Sequence, residues 1–372
     1  MSGPDDIRYM KLALHLAQRG LGRVAPNPAV GCVLVAPESG RIIARGWTQP
    51  SGRPHAEVHA LNKLGGKAKG ATAYVTLEPC AHHGKTPPCA EALIEAGVTR
   101  VVSAMTDPDP RVSGKGHQML RKAGIEVVEG VLEEEAYHLN EGFILKVREG
   151  RPLVMLKLAS SLDGRTATHS GESQWITGEA ARNRGHLMRA EADAIMIGSA
   201  TAIVDDPTLT CRLPGLGQHS PVRIVADGRL RMQLTSKLVQ SAAKVPLWIL
   251  TLPDGDEDRR AAFLDCGADI IEVPRGQGGL MDMKAALQEI GARGITRLMV
   301  EGGSRLASSL VQAGLVDRID WFQAPKLIGG DGYPALAALG VQKMEEAPGL
   351  ERRQVLALGE DSLQRFSFRR QE

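Results

Sequence analysis

Two short stretches, Pro54–Gly66 (PHAEVHALNKLGG) and Thr76–Cys89 (TLEPCAHHGKTPPC), place His55, Glu57, Cys80 and Cys89 close together in the chain. One imidazole and two thiolates are donors that suit Zn²⁺, and three protein ligands leave a fourth position for water. A structural site would be closed by a fourth ligand, so the set reads as a catalytic metal centre. Each ligand follows a proline: Pro54, Pro79 and Pro88. Proline favours the first position of a helix, so the pattern predicts ligands at helix starts, where the dipole and free N–H groups stabilise a thiolate. In mid-helix His55 and Glu57 would face opposite sides; at a first turn both can approach one centre. Zinc lowers the pKa of its water towards ~7, and Glu57 is placed to move protons between that water and a ring nitrogen. His59, four residues after His55, is not a second zincin ligand, because Ala56 stands where that motif needs Glu. It reads as a helix-face packing or substrate-side residue.

Around this core the bulk properties are plain. The chain has 372 residues, enough for two domains, each able to bury a core. Lys plus Arg number 45 against 43 Asp plus Glu, so the formal net charge of +2 advertises no nucleic-acid partner. The N-terminal MSGPDDIRYMKLALHLAQRG lacks the pattern of a signal peptide. No apolar run approaches the ~20 residues of a membrane span. The five cysteines, Cys32, Cys80, Cys89, Cys211 and Cys266, do not form a disulfide framework. A cytoplasmic location is expected, with Cys32 in an apolar strand.

The first ~150 residues alternate helical and strand patterns, the sign of an α/β layer fold. DIRYMKLALHLAQRG, HAEVHALNKL, CAEALIEAG, GHQMLRKAG and LEEEAYHLNEGFILKV read as helices; AVGCVLVA, RIIARGW, ATAYVTL, RVVSAM and IEVVEG read as strands. The run REGRP at 148–152 breaks the pattern, so domains are expected over 1–149 and 150–372. In the second, LVMLKLASSLDGRTA, DAIMIGSATAIVDDP, PVRIVADG, VPLWILT, DIIEVP, VDRIDWFQAPKLIGG and DSLQRFSFRR read as strands, and RLMVEGGSRLASSLVQAG as strand, glycine turn and helix.

H-x-E followed by a Pro-Cys and a second Cys resembles the zinc-dependent cytidine/deoxycytidylate deaminases. Here eight residues, AHHGKTPP, separate the cysteines in place of the compact C-x-x-C. That longer loop and APNPAVGCVLV resemble the bifunctional deaminase–reductase family of riboflavin biosynthesis. Asn27 then becomes a substrate contact, its plain alternative being a turn-former before Pro28. His82 and Lys85, with His83 between them, read as contacts to a substrate phosphate or as an ordinary solvated loop.

KLASSLDGRTA, SQWITG, RAEADAIMIGSATAIVDDPTLTCR and EGG resemble the reductase half of the same family, in that order. The resemblance implies a cytidine deaminase-like three-layer domain joined to a dihydrofolate reductase-like domain that uses NADPH. Carried over position by position, Ala159, Trp175, Thr201, Asp205, Asp227 and the run Gly303, Ser304, Arg305, Leu306, Ala307, Ser308 and Ser309 would face the cofactor. Ser173, Arg189, Leu209, Arg212 and Glu301 would hold the substrate, with Arg189 and Arg212 clamping a ribose phosphate. The plain alternatives are Arg189 as the cap of its own helix and Asp205 as a turn residue. Lys157 and Asp163 are candidates, left unassigned, for polarising the sugar. The expected substrates are small pyrimidine ribose phosphates, with no nucleic acid and no membrane as partner, and the expected assembly is a homo-oligomer, dimer or tetramer. Two other readings stay open: a nucleic-acid base deaminase with an accessory domain, and a structural zinc beside an interaction module.

Overall fold

The computed structural model describes residues 3–83, 87–110 and 112–368. It divides into two compact units, Met1–Arg151 and Pro152–Glu372.

The first unit contains, in order, α1 (Pro4–Ala17), β1 (Gly31–Val35), β2 (Ile42–Trp47), α2 (Ala56–Asn62), β3 (Thr72–Val75), α3 (Cys89–Glu95), β4 (Arg100–Ser103), α4 (Lys115–Lys122), β5 (Glu126–Val128) and α5 (Glu133–Glu149). The strands form one sheet in the order β2-β1-β3-β4-β5. β1 runs antiparallel to β2 and β3, while β3, β4 and β5 are parallel. α1 and α5 pack together on one side, and α2, α3 and α4 pack in sequence on the other, which makes three layers. Such a sheet is covered on both faces, so β1 is buried at every position. One close approach positions the site: a Cβ on Gly46 would lie 2.0 Å from the Ala56 carbonyl oxygen. Only glycine lets the first turn of α2, next to His55, lie so near β2. α5 runs to Glu149 and ends at Gly150, which adopts a left-handed conformation.

The second unit contains β6 (Leu153–Ser161), β7 (Arg165–Ala167), α6 (Glu179–Ala190), β8 (Ala194–Gly198), α7 (Ser199–Asp205), β9 (Val222–Ala226), α8 (Lys237–Gln240), β10 (Leu247–Thr251), α9 (Glu257–Asp265) and β11 (Asp269–Glu272). It continues through α10 (Met283–Ala292), β12 (Arg297–Glu301), α11 (Ser304–Gln312), β13 (Arg318–Ala324), β14 (Tyr333–Pro334), β15 (Leu350–Leu358) and β16 (Asp361–Phe368). The main sheet has nine strands in the order β11-β10-β9-β8-β12-β6-β13-β16-β15, and β7 pairs with β14 apart from it. From β11 to β13 the strands are parallel; β16 and β15 close one edge as an antiparallel hairpin. Alternate residues feed two cores. Ala194 and Met196 join Leu287 of α10 and Leu310 of α11, whereas Ile195 and Ile197 join Leu238 of α8 and Phe263 of α9.

Several elements differ from the sequence reading, which did not include α8, α9, α10 or β14. In DAIMIGSATAIVDDP only Ala194–Gly198 is a strand, and Ser199–Asp205 is helical. Its β-branched residues favour a strand in isolation, but Ile203 and Val204 are exposed, and only Ser199 and Ala202 turn inward. The edge strand β15 has no counterpart in the sequence reading: its first half carries Glu351, Arg352 and Arg353, and its apolar run is confined to residues 355–358.

Candidate active sites

His55 is the residue that caps the start of α2, with extended backbone (φ −64°, ψ 162°), and Glu57 lies in the first turn. The entry to the helix therefore lets both approach one centre, as the spacing required. Pro54 precedes the cap and is not the first helical residue. Cys89 is the first residue of α3, capped by Pro88. Cys80 departs from expectation: it lies in the loop after β3 and begins no helix. Its thiolate instead accepts the Cys89 backbone N–H (3.3 Å), so the start of α3 serves both cysteines.

The three ligand atoms lie within 4.8 Å of one another, and this is the one such His/Cys/Asp/Glu group among the described residues. His55 Nδ1 is 3.3 Å from Cys89 Sγ and 3.7 Å from Cys80 Sγ. A tetrahedral zinc with ordinary Zn–N and Zn–S bonds puts N and S about 3.6 Å apart, so the donor set fits the metal. The Cys89 thiol hydrogen-bonded to it, and then His55, draws the Cys80 thiol down to about 4, whereas the Cys89 thiol, which shares that bond, is pushed up. Glu57 is 3% exposed, and its burial pushes the carboxyl up to about 7 against the opposing pull of His55. A carboxyl that titrates near neutrality suits proton exchange. Metal analysis of the purified chain should give about one zinc per chain; an empty site in protein never exposed to chelator would refute this assignment.

The surroundings are less uniform. Asn27 is half-buried, donates to the Val24 carbonyl (3.3 Å) and packs against Gly52, where a Cβ would lie 2.0 Å from its Nδ2. It thus braces the segment that feeds His55. His82 is exposed, and His83 pairs with Glu91 at 3.1 Å; Lys85 lies outside the described residues. His59 takes the packing alternative. Its ring lies edge-on to Trp47 at 4.8 Å, and its Nδ1 is 2.8 Å from Gln49 Nε2. Cys32 is fully buried in β1.

In the second unit, β8 and β12 are neighbours, and the chain leaves β8 toward β9 on one side and β12 toward β13 on the other, so the connections diverge between them. The crevice beyond the carboxyl ends of such strands is where open α/β sheets bind ligands. At that end Gly302 and Gly303, both with positive φ (70° and 81°), lead into α11. A Cβ on Gly302 would lie 3.1 Å from Thr201 Cγ2, and one on Gly303 3.2 Å from Thr201 Oγ1. The bare turn, the start of the nine-residue α11 and Thr201 make a cradle that fits a dinucleotide phosphate. Ser304, Arg305 and Leu306 belong to that first turn. Ala307 (1% exposed) and Ser308 (3%) turn away into the core, where Ser308 donates to the Ala337 carbonyl, so the run from Gly303 to Ser309 does not present one continuous face.

Ala159 is half-buried on β6. Ser173 and Trp175 are exposed between β7 and α6; Arg182 lies 4.8 Å over the Trp175 ring, and Lys326 Nζ donates to its carbonyl. Asp205 ends α7, exposed. The Asp227 side chain is fully buried, and its Oδ2 accepts the Met232 N–H (2.8 Å) in the turn after β9. Leu209 is buried with φ 55°.

Arg189 does not cap its own helix. Its guanidinium grips Glu301 with two bonds (2.7 and 2.9 Å) and donates to the Thr210 carbonyl (3.1 Å). Burial alone would raise the Glu301 carboxyl, but Arg189 and then Lys157 hold it down at about 2. Arg189 is thereby committed to a carboxylate, which leaves exposed Arg212 as the cation of the two facing solvent. His186, which the sequence did not single out, lies one helical turn before Arg189 and receives the Arg212 backbone N–H at 3.4 Å. The i, i+3 spacing on α6 was its available signal. Asp163 binds Ser161 and the Gly329 N–H, and thus holds a loop.

Fold and sites define a zinc-dependent deaminase joined to a pyridine-nucleotide reductase. Residues 4–105 match the cytidine and deoxycytidylate deaminase zinc-binding region, and residues 152–363 match the RibD C-terminal domain. The riboflavin biosynthesis protein RibD of Escherichia coli K12 is 43% identical over 368 residues, covering 96% of this chain and 98% of that one. That of Aquifex aeolicus is 42% identical, covering 96% of each. Among solved structures, Acinetobacter baumannii RibD is similar at 39% identity with TM-score 0.87, covering 98% of this chain and 99% of that chain. The Thermotoga maritima diaminohydroxyphosphoribosylaminopyrimidine deaminase/5-amino-6-(5-phosphoribosylamino)uracil reductase is similar at 36% identity with TM-score 0.84 and the same coverage. The chain belongs to the RibD family, the deaminase–reductases of riboflavin biosynthesis, with a zinc-binding deaminase region and an NADPH-dependent reductase region. This removes the nucleic-acid deaminase and the interaction-module readings. No helix among the described residues is long and apolar enough to cross a membrane.

Proposed function

We propose that the unit ending at Arg151 hydrolyses the exocyclic amine of 2,5-diamino-6-ribosylamino-4(3H)-pyrimidinone 5′-phosphate, and that the unit beginning at Pro152 reduces the ribosyl group of 5-amino-6-(5-phosphoribosylamino)uracil to ribityl with NADPH. The observation that carries the first half is the triad of His55, Cys80 and Cys89 with Glu57 buried beside it. When bound there, zinc would supply a water of lowered pKa. Glu57 takes a proton from the attacking water, delivers it to the ring nitrogen and assists the departure of ammonia. Burial excludes bulk water from this carboxyl and so keeps the proton on the reaction path.

In the reductase half, Gly302, Gly303, Thr201 and the first turn of α11 hold the cofactor phosphates, with Ala159, Trp175 and Asp205 along the same reading and Asp227 acting through its turn. Glu301, ionised between Arg189 and Lys157, accepts from substrate hydroxyl or amine groups. Arg212 binds the substrate phosphate, with Ser173 and Leu209 in the substrate wall; Asn27, His82 and Lys85 play the corresponding part in the deaminase half. The reading includes a cytoplasmic homo-oligomer, dimer or tetramer, acting on small pyrimidine ribose phosphates. Mass spectrometry of the products tests the division of labour. Without NADPH the full chain should convert the diaminopyrimidine phosphate only to its deaminated form; with NADPH the ribityl product should follow. Appearance of the reduced product without prior deamination would overturn the order.

A further inference from the structure

We propose that Glu78 is the positioning residue that sets the zinc ligand Cys80, an inference that rests on the reading of His55, Cys80 and Cys89 as a zinc site. Glu78 is 3% exposed and stands two residues before Cys80, in the loop after β3. Its carboxylate takes four backbone donors from the segment between β4 and the start of α4. Oε2 accepts from Asp107 (3.1 Å) and Gly114 (2.8 Å), and Oε1 accepts from Gly116 (2.8 Å) and His117 (3.4 Å). The Glu78 N–H itself donates to the Met105 carbonyl at 2.9 Å. The neighbouring backbone is equally close: a Cβ on Gly116 would lie 1.9 Å from the Pro79 carbonyl oxygen.

Cys80 is therefore fixed from two directions. α3 holds it from downstream, through the Cys89 N–H on its sulfur and the Ala90 N–H on its carbonyl (3.2 Å). Glu78 holds it from upstream, by tying the residue before Pro79 to the start of α4. Cys80 has no helix of its own to orient it, so this tie does for Cys80 what the start of α3 does for Cys89. The chemistry requires a carboxylate. Both oxygens face N–H groups, and an amide would turn its NH₂ against one of the two donor pairs. Groups that hold metal ligands in place are commonly worth 10–100-fold in metal affinity.

The test uses the full chain loaded with Zn²⁺ and, separately, with Co²⁺. Glu78→Gln should keep its circular dichroism and its reductase kcat and KM. It should lose zinc to a competing chelator about 10–100-fold more readily, and the thiolate-to-cobalt absorption should shift. Glu78→Asp, shorter by one methylene, should show the same effects and serves if the Gln variant fails to fold. A folded variant with wild-type metal affinity and an unchanged cobalt spectrum overturns the proposal. So does failure of both variants to fold, since the carboxylate would then hold the domain and not the ligand. A wild-type chain that takes up no zinc sinks the metal reading itself, and the proposal with it.

Discussion

Glu57→Gln is expected to leave zinc in place and to cut deamination by about 10²–10⁴-fold, the ordinary worth of general acid–base transfer. Gln fills the same space without carrying a proton, and His55, Cys80 and Cys89 are untouched. The native carboxyl suits its role because burial pushes it to about 7, where gaining and losing a proton cost little near neutrality. Reduction of the already deaminated substrate should continue at the wild-type rate, because Glu57 belongs to the unit Met1–Arg151 and the NADPH cradle to the unit Pro152–Glu372. The measurements are metal content, ammonia release and NADPH oxidation on the same preparation. A variant that keeps more than a tenth of the deaminase rate rules out Glu57 as the shuttle. Loss of both activities rules out two separate sites.

Gly303→Val should spare deamination and weaken NADPH binding at least about ten-fold. At φ 81° and ψ 95° a β-branched residue is strained, by an amount of order 1–3 kcal/mol. Its Cβ would also sit 3.2 Å from Thr201 Oγ1, in the cradle itself. Arg212→Ala gives the opposite pattern. Losing one charge-assisted hydrogen bond, roughly 1.5–3 kcal/mol, should weaken the pyrimidine phosphate about ten- to a hundred-fold and leave NADPH affinity unchanged. Fluorescence titration with NADPH and steady-state reduction kinetics separate the two. Normal NADPH binding by Gly303→Val, or damage to NADPH binding in Arg212→Ala, would show that these positions are misassigned.

What was legible in the chain was local. The apolar runs of β1, β8 and β10 announce strands because both faces of each sheet are covered. The glycine turn before α11 shows in two letters. α7 was misread because β-branched residues favour strands in general, while here only two positions of the segment turn inward.

The sequence by itself pointed to His55, Cys80 and Cys89 as zinc donors and to Glu57 as proton carrier, because those readings depend on residue type and short spacing, while the order of the two chemistries came from the family resemblance. Tertiary structure decided how the donors are held. Cys80 owes its place to an N–H at the start of α3 and, we propose, to Glu78, whose partners lie far downstream. It also decided that Arg189 would grip Glu301, a residue 112 positions away, and that Asp227, Ala307 and Ser308 would turn inward. Which groups meet across a sheet, and which are left facing solvent, depends on packing between distant segments, and no local pattern encodes it.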